Sequence, residues 1–187
     1  RRLLKMASSR VISKLKSLCL ETERLLIRSA LKADLESVYL IHKEPIVNRY
    51  IPYQTWLGLS DAQAWYARVE RRRKDIAEQF VILNKADEKL VGTCIVFVHS
   101  SDSAPFELGY VLAKNCWGQG FMLEALAEFV PMVAERLNLP SLVAVIQADN
   151  RSSLKLITKL GFNQSQRQLD GETEMIYCLR RFKSVKF

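Results

Sequence analysis

The chain has 187 residues, 49% of them hydrophobic and 26% charged. That is room for one domain with a full core, and no apolar run approaches the roughly 20 residues of a membrane span. The formal net charge of +8 is concentrated in residues 1–20 (RRLLKMASSRVISKLKSLCL), where Arg1, Arg2, Lys5, Arg10, Lys14 and Lys16 meet no acid; the rest is close to neutral, so its charge argues neither for nor against a polyanion partner, and no DNA partner is expected.

Residues 1–20 read as a basic N-terminal extension carrying an ordinary solvated helix, with Met6 a candidate natural start. A targeting peptide or membrane-surface helix is the rival reading, but no cleavage site or long apolar stretch follows. Glu21–Ser29 (ETERLLIRS) holds a short apolar run and predicts a strand. Lys32–His42 predicts a helix, with Leu35, Val38, Tyr39 and His42 at helical spacing. Pro45 and Pro52 break that pattern around an aromatic loop, NRYIPYQTWLGL. Ser60-Asp61-Ala62-Gln63 spells a capping box. The helix it opens carries Ala62, Trp65, Tyr66 and Val69 on one face and the run RRRK (Arg71–Lys74) on its far side, which reads as a solvated face.

Phe80–Asn84 and Leu90–His99, joined through ADEK, predict a hairpin. Phe106–Leu112 (FELGYVL) predicts another strand, interrupted by Gly109, which marks either a bulge or a close backbone approach. NCWGQG (Asn115–Gly120) then precedes a helix with Met122, Leu126, Phe129, Val130, Val133 and Leu137 on one stripe. Two glycines at a helix start either turn the chain or cradle a phosphate. Pro131 predicts a kink, and Asn138 with Pro140 a stop. Leu142–Ile146 predicts a strand buried on both faces. Asn150 caps a helix over Arg151–Leu160 that Gly161 closes. Strands around Phe162–Leu169 and Glu174–Leu179 flank the turn at Asp170-Gly171.

The order β-α-α-β-β-β-α-β-α-β-β predicts a single α/β (α+β) domain with a mixed sheet. The four cysteines are scattered without a C-x-x-C, and His42 and His99 stand alone. That predicts no metal site and no disulfide framework, and it suits a reducing cytoplasm.

GYVLAKNCWGQGFMLEAL followed by ADNRSSLKLITKLGF resembles the GNAT superfamily of acetyl-CoA-dependent N-acetyltransferases. ETERLLIRSALKADLESV, PIVNRYIP and KLVGTCIVF are similar to its ribosomal-protein N-terminal acetyltransferases of the Rim type. The resemblance spans about residues 21–180 in family order and implies a GNAT domain over 21–187. It implies a mixed central sheet flanked by helices, with a splay between the fourth and fifth strands. It also implies acetyl-CoA as cosubstrate without a metal, no membrane partner, and a monomer or homodimer. The reaction implied moves acetyl to a primary amine by direct attack in a ternary complex. A protein N-terminal α-amino group of the ribosomal-protein-alanine type is the expected acceptor. A small amine, amino acid or antibiotic is the alternative, as is a non-catalytic acyl-CoA sensor.

Residue by residue, the family's acyl-CoA loop, Gln/Arg-x-x-Gly-x-Gly/Ala, falls on Asn115, Gly118 and Gly120, with asparagine departing from the first preference. The resemblance implies that backbone N–H groups at about Trp117, Gly118, Gln119, Gly120, Phe121 and Met122 take the pyrophosphate. The strand before the loop, at Gly109, Tyr110 and Val111, would pair with the pantetheine arm and hold the oxyanion. Asn150 and Ser153 would lie near the thiol, with Ser153 the proton donor to the leaving thiolate and Asn150 also a plain helix cap. The tyrosine that many relatives place after this helix is missing, since Lys159-Leu160-Gly161-Phe162 stands there. Glu107, two residues from Gly109 and so on the same face of the strand, is the candidate base. Arg49, Tyr50, Tyr53 and Trp56 would wall the acceptor pocket.

Overall fold

The computed structural model describes residues 12–16, 18–52, 54–72, 76–101 and 104–182. Eight strands form one sheet: β1 (Cys19–Glu21), β2 (Leu25–Ser29), β3 (Ala77–Asn84), β4 (Leu90–Ser101), β5 (Ala104–Leu112), β6 (Ser141–Gln147), β7 (Asn163–Asp170) and β8 (Thr173–Arg181). The helices are α1 (Leu35–His42), α2 (Pro45–Asn48), α3 (Leu59–Arg72), α4 (Phe121–Leu137) and α5 (Arg151–Lys159). The strands lie in the order β1-β2-β3-β4-β5-β6-β8-β7. Every neighbouring pair is antiparallel except β5 and β6. This is a single-domain α/β fold with a mixed sheet flanked by helices.

Several expectations need correction. The strand expected over Glu21–Ser29 is split at Thr22–Arg24, because the Thr22 hydroxyl accepts the Leu25 N–H at 3.0 Å and turns the chain. The resulting β1 pairs back on β2. Ile12, Leu15 and Leu18 are buried in the main core, so this part of the basic segment packs with the domain rather than outside it. Pro45 starts the short α2, at the first helical position where its missing N–H costs nothing. Helix α3 begins at Leu59, ahead of the expected serine cap. The Asp61 carboxylate takes the N–H groups of Leu57 and Gly58 at 2.8 and 3.2 Å and does the capping. Helix α4 continues through Pro131 to Leu137, and Asn138 ends it in the left-handed region.

Alternation along the strands builds two cores. One face of the sheet packs Phe80, Val96, Leu108, Ala144 and Cys178 against the buried stripe of α4. Phe80 meets Phe129 edge-on at 4.9 Å. The other face carries a smaller cluster of Ala30, Val38, Trp56, Ala62, Trp65, Val69 and Val81 beneath α1 and α3.

The feature that positions the site is the join of β5 and β6. Their only register pair is Glu107 with Val143. By contrast β5 keeps unbroken register with β4 from Phe106 to Leu112. From Leu108 onward, then, one edge of β5 has no strand beside it, and the two parallel strands open like a V. Gly109 pairs in regular register with Ile95, so it is no bulge. An added Cβ there would come within 2.9 Å of the Ile95 side chain, which leans over it.

Candidate active site

The mouth of the V is the NCWGQG loop. Gly118 and Gly120 have φ of 76° and 79°, a region that side chains resist. Gly120 stands at the N-cap of α4. Nothing lies within 4 Å of a Cβ built on Gly118, so the backbone angle rather than crowding calls for glycine there. The Trp117 N–H donates to the Lys114 carbonyl at 3.2 Å within a 3-10 turn, which corrects its place among the free donors. Its indole instead donates to the Leu112 carbonyl at 2.9 Å. The N–H groups of Gly118, Gln119, Gly120, Phe121 and Met122 belong to the loop and first turn, where no intrahelical acceptor exists. They and the positive end of α4 suit an anion. The Asn115 side chain reaches only Cys116, whereas its carbonyl accepts the Gln119 amide at 2.8 Å and closes the loop.

A clamp not foreseen at these positions holds the loop from outside. Arg24 donates through Nε to Glu124 Oε2 at 2.6 Å and through its backbone N–H to Oε1 at 2.9 Å. Its guanidinium also donates to the Gln119 carbonyl at 3.1 Å and lies 4.4 Å over the Phe121 ring. The Thr22 hydroxyl adds a bond to Glu124 at 2.5 Å. Burial alone would raise the Glu124 pKa, but these bonds outweigh it and hold the carboxyl below its ordinary range. The Gln119 carbonyl is thereby tied to Arg24 across the start of α4. Nothing in the sequence joined Arg24 to Glu124.

At the apex of the V, Glu107 bonds His99 Nδ1 at 2.9 Å. His99 is therefore not isolated. It sits on β4, eight residues from its partner, and its ring meets Tyr177 of β8 at 6.2 Å. Burial raises the Glu107 pKa, and the His99 bond opposes that only in part. A carboxylate poised nearer neutrality is better matched to taking an ammonium proton.

Tyr110, three residues on, points to the opposite face. Its hydroxyl lies 2.5 Å from Ser153 Oγ. Burial pushes the phenol up to about 12, so it keeps its proton at neutral pH and can donate. Ser153 is held by its own N–H, which donates to Asn150 at 3.2 Å. Asn150 thus caps α5 as read from the sequence. Tyr50 arrives from the loop after α2 and donates to the Asp149 carbonyl at 3.3 Å, with Arg49 stacked 5.2 Å over its ring. Val111 lies along the free edge of β5, partly buried against the core. Trp56 is 6% exposed, stacked 4.4 Å from His42 and packed on Trp65. It pins the loop and has no face left for an acceptor, which corrects its place in the pocket wall. Tyr53 lies outside the described residues. Among the described residues no group of three His, Cys, Asp or Glu side chains could hold a metal ion.

A parallel strand pair opening beside an anion-ready helix start is an α/β arrangement suited to an extended anionic ligand. Residues 24–163 match the family model described as acetyltransferase (GNAT) domain. The chain belongs to the GNAT acetyltransferase family and is an acetyl-CoA-dependent N-acetyltransferase. It is 27% identical over 146 residues to p20 of Bacillus licheniformis, described as an uncharacterized N-acetyltransferase, covering 78% of this chain and 82% of that protein. The fold matches the ribosomal-protein-S5-alanine acetyltransferase of Vibrio fischeri with a TM-score of 0.70 and 20% identity, covering 88% of this chain and 96% of that one. It matches the spermidine N-acetyltransferase of Vibrio cholerae, solved with CoA and spermine, with a TM-score of 0.72 and 14% identity, covering 86% and 96%. The Rim-type resemblance thus holds at the level of fold, where polyamine acetyltransferases share it.

Proposed function

We propose that the chain acetylates the α-amino group of a protein N-terminus by direct attack on acetyl-CoA in a ternary complex. The observation that carries this reading is the V itself, with Glu107 on one face of β5 and the Tyr110–Ser153 pair on the other. The N–H groups of Gly118 to Met122 hold the pyrophosphate, and the free edge of β5 at Gly109–Val111 pairs with the pantetheine arm in the manner of an added strand. A backbone N–H of that edge faces the carbonyl oxygen as it gains charge. The amine enters from the Glu107 face, beside Tyr50 and Arg49. Its nitrogen bonds to the acetyl carbon as the carbon–sulfur bond breaks. Glu107 takes the ammonium proton, and Ser153, paired with Tyr110, donates to the thiolate. Positioning the two reactants supplies much of the rate.

The test is thiol release from acetyl-CoA against a panel of N-terminal peptides, amino acids and polyamines, alongside calorimetry with acetyl-CoA. Turnover with peptides supports the reading. Turnover with spermidine alone replaces the acceptor, and no acetyl-CoA binding at millimolar concentration removes the site.

A further inference from the structure

We propose that a cleft beneath the C-terminal half of α3 receives a carboxylate of the acceptor, so that the enzyme prefers acidic N-terminal peptides over neutral ones and rejects polyamines. This rests on the acyl-transfer reading above. Arg68 and Arg72, one helical turn apart and on the same face of α3, line the cleft, and Ala77, Gln79 and Ile95 floor it. Both arginines are half-buried. Among the described residues, neither Arg68 nor Arg72 is paired with a carboxylate, and no acid lines their cleft. A position near a helix C-terminus favours a cation, but that alone does not turn two of them over a cleft.

The cleft lies on the same face of the sheet as Glu107. Ile95 is the register partner of Gly109 and lies on the face of the sheet that carries Glu107. From β5 to β3 is two strand spacings, roughly 10 Å. An extended peptide advances roughly 3.3 Å per residue, so an amine held at Glu107 brings the side chain of its second or third residue to the arginines. The cleft is small and suits a carboxylate rather than a larger group. A polyamine would meet two cations there.

The experiment is steady-state thiol release with three peptides that differ only in Glu, Gln or Lys at the third residue, and with spermidine. The wild type should show a KM for the Glu peptide about tenfold below that for Gln, as a charge-assisted bond would give. Arg68→Gln/Arg72→Gln should erase that difference while leaving the KM for acetyl-CoA unchanged. Arg68→Lys/Arg72→Lys should keep part of it. If the double variant does not fold, Arg72→Gln alone and raised ionic strength should each shrink the Glu preference in the same direction. Equal KM values for the three peptides, a preference untouched by the substitutions, or spermidine as the best acceptor overturns the cleft proposal alone. Thiol release with no amine defeats the acyl-transfer reading, and the cleft with it.

Discussion

Burial lifts the Glu107 carboxyl above its ordinary range, and the His99 bond pulls back only in part. In the proposed role of base Glu107 must be deprotonated, so kcat/KM should fall as pH drops through that raised pKa. Glu107→Gln should lower kcat at pH 7 by about tenfold to a hundredfold, with acetyl-CoA affinity intact. The loss should shrink above about pH 8, where an α-amino group sheds its proton unaided. A pH–rate profile of both proteins checks the direction, and profiles of the same shape would remove Glu107 from the mechanism. Glu107 and Gly109 could be placed on one face from their spacing alone. His99 could not be joined to them, because that contact depends on the register of β4 against β5. Asn150 was legible as a cap because its partner Ser153 is three residues away. Trp56 was ambiguous: an aromatic in a loop reads alike whether it faces a ligand or, as here, His42 and Trp65.

The start of α4 depends on an element a hundred residues earlier in the chain. Arg24, in the turn between β1 and β2, holds Glu124 and the Gln119 carbonyl together. Arg24→Ala should therefore raise the KM for acetyl-CoA roughly tenfold, since small misplacements at a site are costly. It should leave the KM for the amine and the melting temperature little changed, because Arg24 is substantially exposed. Arg24→Lys should recover only part, as an ammonium lacks the planar fork that meets carboxylate and carbonyl together. Initial-rate kinetics with each substrate varied in turn separates these outcomes; an equal rise in both KM values would indicate general loosening instead. The linkage runs the other way for acid stability. The depressed Glu124 pKa contributes stability above the unfolded value of roughly 4.3, and that contribution is lost as pH falls through the folded pKa. Helix α4 itself was plain from its apolar stripe, and its glycine start was visible. The clamp was hidden because nothing local in ETERLLIR points to residue 124.

At the scale of the whole molecule, the main core extends back to residues that composition set apart. Leu15 is fully buried. Leu15→Ala should destabilise the protein by about 2–4 kcal/mol, read from the midpoint of urea unfolding; an unchanged midpoint would mean that the segment merely rests on the surface. Charge drew a boundary at residue 20 because Lys14 and Lys16 are exposed, while the apolar residues between and beside them face inward. The alternation of strands and helices was legible throughout, and with it the class of fold. The order in which the strands lie was not, since β8 inserts between β6 and β7 through contacts distant in sequence. The single register pair at Glu107 and Val143 has a further consequence. From Leu112 back to Glu107 the free edge of β5 measures about 17 Å, at roughly 3.3 Å per residue. If the pantetheine arm lies along it from the glycine loop, β5 acts as a ruler with Glu107 as its stop. An acetyl group ends at the mark. A longer acyl chain overshoots it into the space the amine must occupy, so the strand that grips the donor also limits what the donor can carry.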